Sequence, residues 1–177
     1  MFIEKTKKSA PKPPTKARLR NIALYYLDRF ESSEENLRTV LKRRIDKYAF
    51  FDKNYNPTGA YQWAEEVIEE CLKQNFVNDE RYAEFKINSY LHAGKSRRYI
   101  EQKLKQKGID EQVVAQFFSD DNYSELDTAL NFAKKKRIGR FRHDESARLE
   151  NRQKDMATLV RAGFDYDVAK VVLEDEG

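Results

Sequence analysis

The sequence predicts an all-α chain of three tandem three-helix repeat modules forming an elongated, curved body. Three observations predict it. From Ala17 onward glycine is sparse and proline occurs once, at Pro57. Apolar residues return at intervals of three and four, as in Leu19, Ile22, Ala23, Tyr26, Leu27 and Phe30, which is the period of a helix with one buried face. Finally, Leu104-Lys-Gln-Lys-Gly108-Ile-Asp110 superposes on Leu159-Val-Arg-Ala-Gly163-Phe-Asp165 at an offset of 55 residues, and the same offset lays Val113 on Val168, Phe117 on Val172 and Phe118 on Leu173.

Residues 1–16 come first. They hold Lys5, Lys7, Lys8, Lys12 and three prolines with little apolar content, the composition of a disordered basic arm. The first module spans 17–80. Its second helix opens at Ser32, which with Glu35 forms a capping box ahead of Leu37, Val40, Leu41 and Ile45. An aromatic insert follows over 46–58, with Tyr48, Phe50, Phe51 and Tyr55, either packed over the module or anchoring a partner. Thr58 starts a third helix through Trp63 to Phe76. The second module spans 81–120, with starts at Asn78 or Asp79, Ser96 and Asp110 and a stop at Gly108. The third spans 124–174, with starts at Ser124 and Asp165 and a stop at Gly163. Modules this small bury part of their apolar face against a neighbour, so they stack.

Charge is sorted along the chain. The net charge is +4, but residues 1–20 contain seven basic residues against one acidic, leaving 27 basic and 29 acidic in the rest. Within the body, residues 86–107 carry seven Lys/Arg against Glu101, residues 134–142 carry six against none, and residues 110–127 carry six carboxylates and no cation. Such blocks fit a polarised binding surface better than a catalytic pocket. No apolar run approaches a membrane span, and the N-terminus lacks the apolar stretch of a signal peptide. The single cysteine, Cys71, excludes an internal disulfide framework and suits a small buried role. Two isolated histidines supply no metal-ligand spacing. A monomeric cytoplasmic protein without cofactor or structural metal is expected.

The stretch SYLHAGKSRR, residues 89–98, comes within one residue of a nucleotide-binding loop. Such a loop needs a glycine where Ser89 stands, and it must follow a buried strand. Here Tyr82, Ala83, Phe85, Ile87, Tyr90 and Leu91 are spaced as a helix face. The expected structure is a helix ending at Ala93-Gly94 and another capped by Ser96, with Lys95, Arg97 and Arg98 crowding a helix start where cations are disfavoured. With Ile100 and Leu104 inward, about 100° per residue puts Arg98, Gln102 and Lys105 on the opposite side and Arg97 and Lys103 on its flanks. A second cluster comprises Lys134, Lys135, Lys136, Arg137, Arg140 and Arg142. Either set could be a plain solvated face, and together they point to an anionic partner. Arg81 follows two carboxylates at a helix start, where it reaches a partner or makes a local ion pair. The acid pairs Asp79–Glu80 and Asp120–Asp121 read as caps and solvation, and Trp63, Tyr82, Phe85, Tyr99, Phe117 and Phe118 as core, not as catalytic or stacking groups.

The segment Asn75-Phe-Val-Asn-Asp-Glu-Arg-Tyr-Ala83, the run Gly94-Lys-Ser-Arg-Arg98 and the stretch from Ile100 to Gly108 resemble the RecX family. The resemblance runs from about Ala17 to the C-terminus. It departs at Asn75, where a glycine is frequent, in a longer insert, and in a loosely matched third module. It implies a non-enzymatic, all-helical regulator that binds RecA recombinase filaments on single-stranded DNA. Such a regulator inhibits filament extension, ATP hydrolysis, strand exchange and coprotease activity. Single-stranded or duplex DNA is a second partner to test. The alternative is a free-standing DNA-binding protein with helix-turn-helix-like modules.

Overall fold

The computed structural model describes residues 10–119 and 123–174. The basic arm expected over 1–16 therefore lies outside the described residues as far as residue 9, as do Asp120 and Asp121. Among the described residues there are nine α-helices, one 3₁₀ turn and no strand. In order they are α1 (Lys16–Leu27), α2 (Glu34–Phe51), α3 (Thr58–Lys73), α4 (Asp79–His92), α5 (Arg97–Lys105), α6 (Glu111–Ser119), α7 (Glu125–Lys136), the 3₁₀ turn Gly139–Phe141, α8 (Glu145–Arg161) and α9 (Tyr166–Leu173). They fall into two compact units, residues 1–79 and 80–177.

The first unit closes α1, α2 and α3 around Leu19, Ala23, Leu37, Leu41, Ile45, Val67 and Ile68, all almost fully buried. Cys71 belongs to this core, and burial pushes its thiol up from the usual range. Helix starts carry side-chain caps: the Thr15 hydroxyl accepts from the Arg18 amide, and the Ser33 hydroxyl accepts from the Asn36 amide. The capping box expected from Ser32 and Glu35 thus shifts by one residue. Ser32 is buried and donates to the Ser33 carbonyl, while the Asp79 carboxylate accepts from the Glu34 amide at 2.8 Å. A carboxylate from a distant turn satisfies an orphan donor that local sequence had assigned elsewhere. The first half of segment 46–58 continues α2 as helix as far as Phe51. In the remainder, Asp52 and Asn56 accept from the Asn54 and Thr58 amides, shaping the turn into α3.

The second unit has two cores. One joins Tyr82, Ala83, Ile87, Ile100, Leu104, Ile109, Val114 and Phe118 of α4, α5 and α6. The other joins Ala129, Ala133, Ile138, Leu159, Phe164, Ala169 and Val172 of α7, α8 and α9. Their turns touch directly. Gly94 sits against the Phe132 backbone, so that a Cβ there would lie 3.2 Å from the Phe132 Cα. Ser96, fully buried, accepts from the Tyr99 amide and donates to the Ala162 carbonyl at 2.6 Å. At Gly163, φ is +92° and a Cβ would stand 2.6 Å from the Ser96 hydroxyl, so only glycine allows this close approach without strain.

A candidate anion-binding face on the second unit

The near-match to a nucleotide loop folds as a helix–turn–helix joint. Gly94 and Lys95 donate their amides back to Leu91 and Tyr90 of α4, closing the helix in the manner of a left-handed cap. Ser96 is committed to Tyr99 and Ala162. The element before the turn is a helix, so its amides do not form a phosphate cradle.

From this joint α5 projects its basic residues in three directions. Arg98, Gln102 and Lys105 line one groove of about 380 Å³ whose walls include Ile109, Val114 and Ala115 of the following segment. That grouping agrees with the helical-angle expectation. Glu101 and Glu111 border the same groove, and Glu111 holds the Lys105 ammonium at 2.5 Å, raising the lysine pKa through that hydrogen bond. Lys95 and Lys103 flank the Tyr99 ring, with ammonium nitrogens 5.0 and 5.6 Å from its centroid. Arg97 turns towards the protein: it pairs with Glu101 at 2.7 Å and lies 5.1 Å from the Phe118 ring centroid. Arg81 lies exposed in the first turn of α4 and does not line the groove.

The second cluster divides. Lys134, Lys135 and Lys136 form the exposed last turn of α7, and Arg137 caps it in the left-handed region at φ +54°. The Lys135 ammonium donates to the His92 carbonyl at the end of α4. Arg140 donates to the carbonyls of Val171 and Val172 near the end of α9. Both arrangements place a cation where helix carbonyls lack partners. Arg142 departs from the picture of a continuous solvated patch, because it grips Asp155 with two bonds of 2.7 Å while the Asp155 side chain is 3% exposed. Gly139 donates its amide to the same carboxylate. Burial pushes the Asp155 carboxyl up, but the guanidinium and the amide outweigh it and hold it below the ordinary aspartate range. No local pattern announced this pair, since the partners are thirteen residues apart in the chain.

The Lys135–His92 bond and the Gly94–Phe132 contact set the last turn of α7 beside the turn that starts α5. The two basic clusters are thereby neighbours within one unit. Tyr123, just ahead of α7, is half-buried against the Phe118 ring, with 4.7 Å between the centroids. Burial, then Glu125, push its pKa up to about 12. Among the described residues no group of His, Cys, Asp or Glu could hold a metal ion, and no helix is long and apolar enough to cross a membrane. A cationic cleft on the first unit, with Lys12, Arg18, Arg44 and Lys47 in its lining, escaped the sequence reading. Its residues come from a pre-helix stretch and two different helices, so no run of charge marks it.

Comparison with known proteins is consistent across sequence and fold. The family model for RecX, second three-helix domain, matches residues 78–116, the segment that contains α4, α5 and most of α6. The regulatory protein RecX of Myxococcus xanthus is 39% identical over 176 residues, covering 97% of this chain and 94% of that protein. The regulatory protein RecX of Streptococcus uberis is 27% identical over 86% of this chain, and the chain spans 53% of that relative's length. The crystal structure of RecX from Lactobacillus salivarius shares the fold, with a TM-score of 0.60 at 22% identity over 89% of this chain and 94% of the other. Given a relative this similar over nearly the whole of both chains, the protein belongs to the RecX family.

Proposed function

We propose that this chain regulates the RecA recombinase by binding its filament on single-stranded DNA. In this reading it inhibits filament extension and, with it, ATP hydrolysis, strand exchange and coprotease activity. The observation that supports the reading is the α5 groove with Arg98, Gln102 and Lys105, in the same compact unit as the cationic last turn of α7, which lies beside the turn that starts α5. Shallow, charged and lined by a few apolar groups, it suits a flat anionic partner and lacks the converging acid, base and nucleophile of an active site. Inhibition then needs no chemistry. A ligand that prefers one filament arrangement shifts the population towards it, in proportion to the difference in affinity.

The test is the DNA-dependent ATPase of RecA, titrated with the chain well below the recombinase concentration. Hydrolysis is expected to fall with the wild-type chain, and the Arg98→Glu, Lys105→Glu pair is expected to need at least tenfold more protein for the same effect. Unchanged hydrolysis and filament length at every concentration of wild-type chain would reject the reading.

A further inference from the structure

We propose that the first unit carries a second binding surface, for single-stranded nucleic acid, on the joined faces of α1 and α2. Phosphates sit in the cleft among Lys12, Arg18, Arg44 and Lys47, and bases stack on the exposed rings of Tyr25 and Phe50.

The cleft, about 270 Å³ in volume, has an apolar floor that includes Pro14, Leu19 and Ile22, and no carboxylate lines it. Other cations of the same unit pair with acids. Lys16 meets Glu66 and Glu70, Arg20 meets Glu70, and Arg38 meets Glu34, Glu35 and Glu65. Four cations around a wall without an acid contrast with those pairs and leave a concentrated positive potential.

The helices extend this cleft in opposite directions. Tyr26 at the end of α1 accepts from Asn36 at the start of α2, whereas Arg18 at the start of α1 shares the cleft with Arg44 and Lys47 late in α2, so the two run antiparallel. Tyr25 lies two turns beyond Arg18 along α1, and Phe50 lies one turn beyond Lys47 along α2. Each is on the same helical face as its cation at about 100° per residue. The cleft thus lies between two aromatic groups. Tyr25 is 61% and Phe50 78% exposed, and each ring carries a cation over one face: the Arg29 guanidinium at 4.0 Å and the Lys53 ammonium at 4.2 Å.

Exposed rings beside unmatched cations suit a ligand that alternates charge with flat apolar surface. Single-stranded nucleic acid does so, since each nucleotide offers a phosphate and an unstacked base. An acidic protein would use the cations and leave the rings without purpose, and in a duplex the bases already stack on one another. The surface exists because α2 runs on to Phe51.

The test is fluorescence anisotropy of a labelled oligothymidylate with the full chain and no recombinase, so its outcome is read separately from the regulatory reading. Binding that weakens with salt is expected. Arg44→Gln with Lys47→Gln should weaken it at least tenfold and flatten the log–log salt slope by about 0.7 for each phosphate no longer neutralised. Phe50→Leu should weaken it about fivefold or more without changing that slope. Lys73→Gln with Lys170→Gln, exposed lysines outside both surfaces, should alter it less than twofold. Far-ultraviolet circular dichroism of each variant verifies the helices, and all substituted groups are on the surface. The proposal is overturned by absence of binding at low salt or by polyglutamate competing as well as unlabelled oligothymidylate. A loss from the Lys73 and Lys170 pair as large as that from Arg44 and Lys47 would also overturn it.

Discussion

Helix α5 of the second unit stops at Lys105, but its counterpart α2 in the first unit runs to Phe51. Aligning Leu104 with Leu41 puts Gly108 of the second unit against Ile45 of the first. Gly108 takes φ +75° and turns the chain out of the helix, letting the Ile109 amide return to the Leu104 carbonyl. Ile45 is β-branched, cannot enter that region without strain, and is fully buried in the core. One exchange therefore decides whether the helix closes short beneath the groove of Arg98, Gln102 and Lys105 or extends to display Arg44, Lys47 and Phe50. It teaches that in a small helical repeat the residue at the cap position sets helix length, and helix length sets which surface is displayed.

Substitutions can break that comparison, and the largest effect is expected at its centre. Ile45→Gly removes a fully buried side chain and weakens the helix backbone, together about 4 kcal/mol. Chemical denaturation should register the loss, and hydrogen exchange should quicken over residues 46–51 before the rest of α2. If those amides stay protected, the cap position does not govern helix length.

Next comes Arg142→Ala, which leaves the Asp155 carboxylate buried without its ion-pair partner and should cost the second unit about 3 kcal/mol. The same pair predicts an acid limb. Its folded carboxyl lies below the ordinary aspartate range, so its contribution is complete above the unfolded value near about 3.9 and is lost as pH falls through the folded one. A thermal midpoint followed from neutral pH downward should drop less steeply in the Arg142→Ala variant than in the wild type.

Gly163→Ala sharpens the contrast between glycines that cap and residues that do not. A Cβ at φ +92° would strain the backbone and press on the Ser96 hydroxyl, at a cost of about 2 kcal/mol. Near-ultraviolet circular dichroism is expected to change as well, through the aromatics beside that seam. The smallest effect belongs to Ser33→Ala, which removes the hydroxyl that caps α2 for about 1 kcal/mol by denaturant titration. Equal losses from all four substitutions would show that general instability, not position, governs them.

Much of the molecule was legible in the chain because it depends on local physics. The period of Ile100 and Leu104 placed the core face of α5, and Arg98, Gln102 and Lys105 followed from it on the open side. Ser96 and Ser124 cap where they were expected to. The repeat offset was accurate for Leu104 and Leu159, but drifted in the last turn, where Phe118 and Val172 are buried in place of matched residues. A one-residue change of register in a short helix leaves its apolar character intact, so sequence superposition does not detect it. Ser33 displaced Ser32 as cap because Asp79, far away in the chain, supplies the other acceptor. Arg142 looked like its lysine neighbours until the fold brought Asp155 to it.

The sequence alone determined the helices, most of their interiors, the sorting of charge and the family resemblance, because periodicity, capping and motif spacing act between residues a few positions apart. Trp63 and Phe85, expected in the core, are exposed. The tertiary structure decided which cations are committed and which remain on display. It sent Arg142 inward to a carboxylate, set Lys135 on a helix carbonyl, and gathered Lys12, Arg18, Arg44 and Lys47 around one cleft. Partnering depends on distances across the fold, and Coulomb attraction and hydrogen bonding act on those distances without regard to order along the chain.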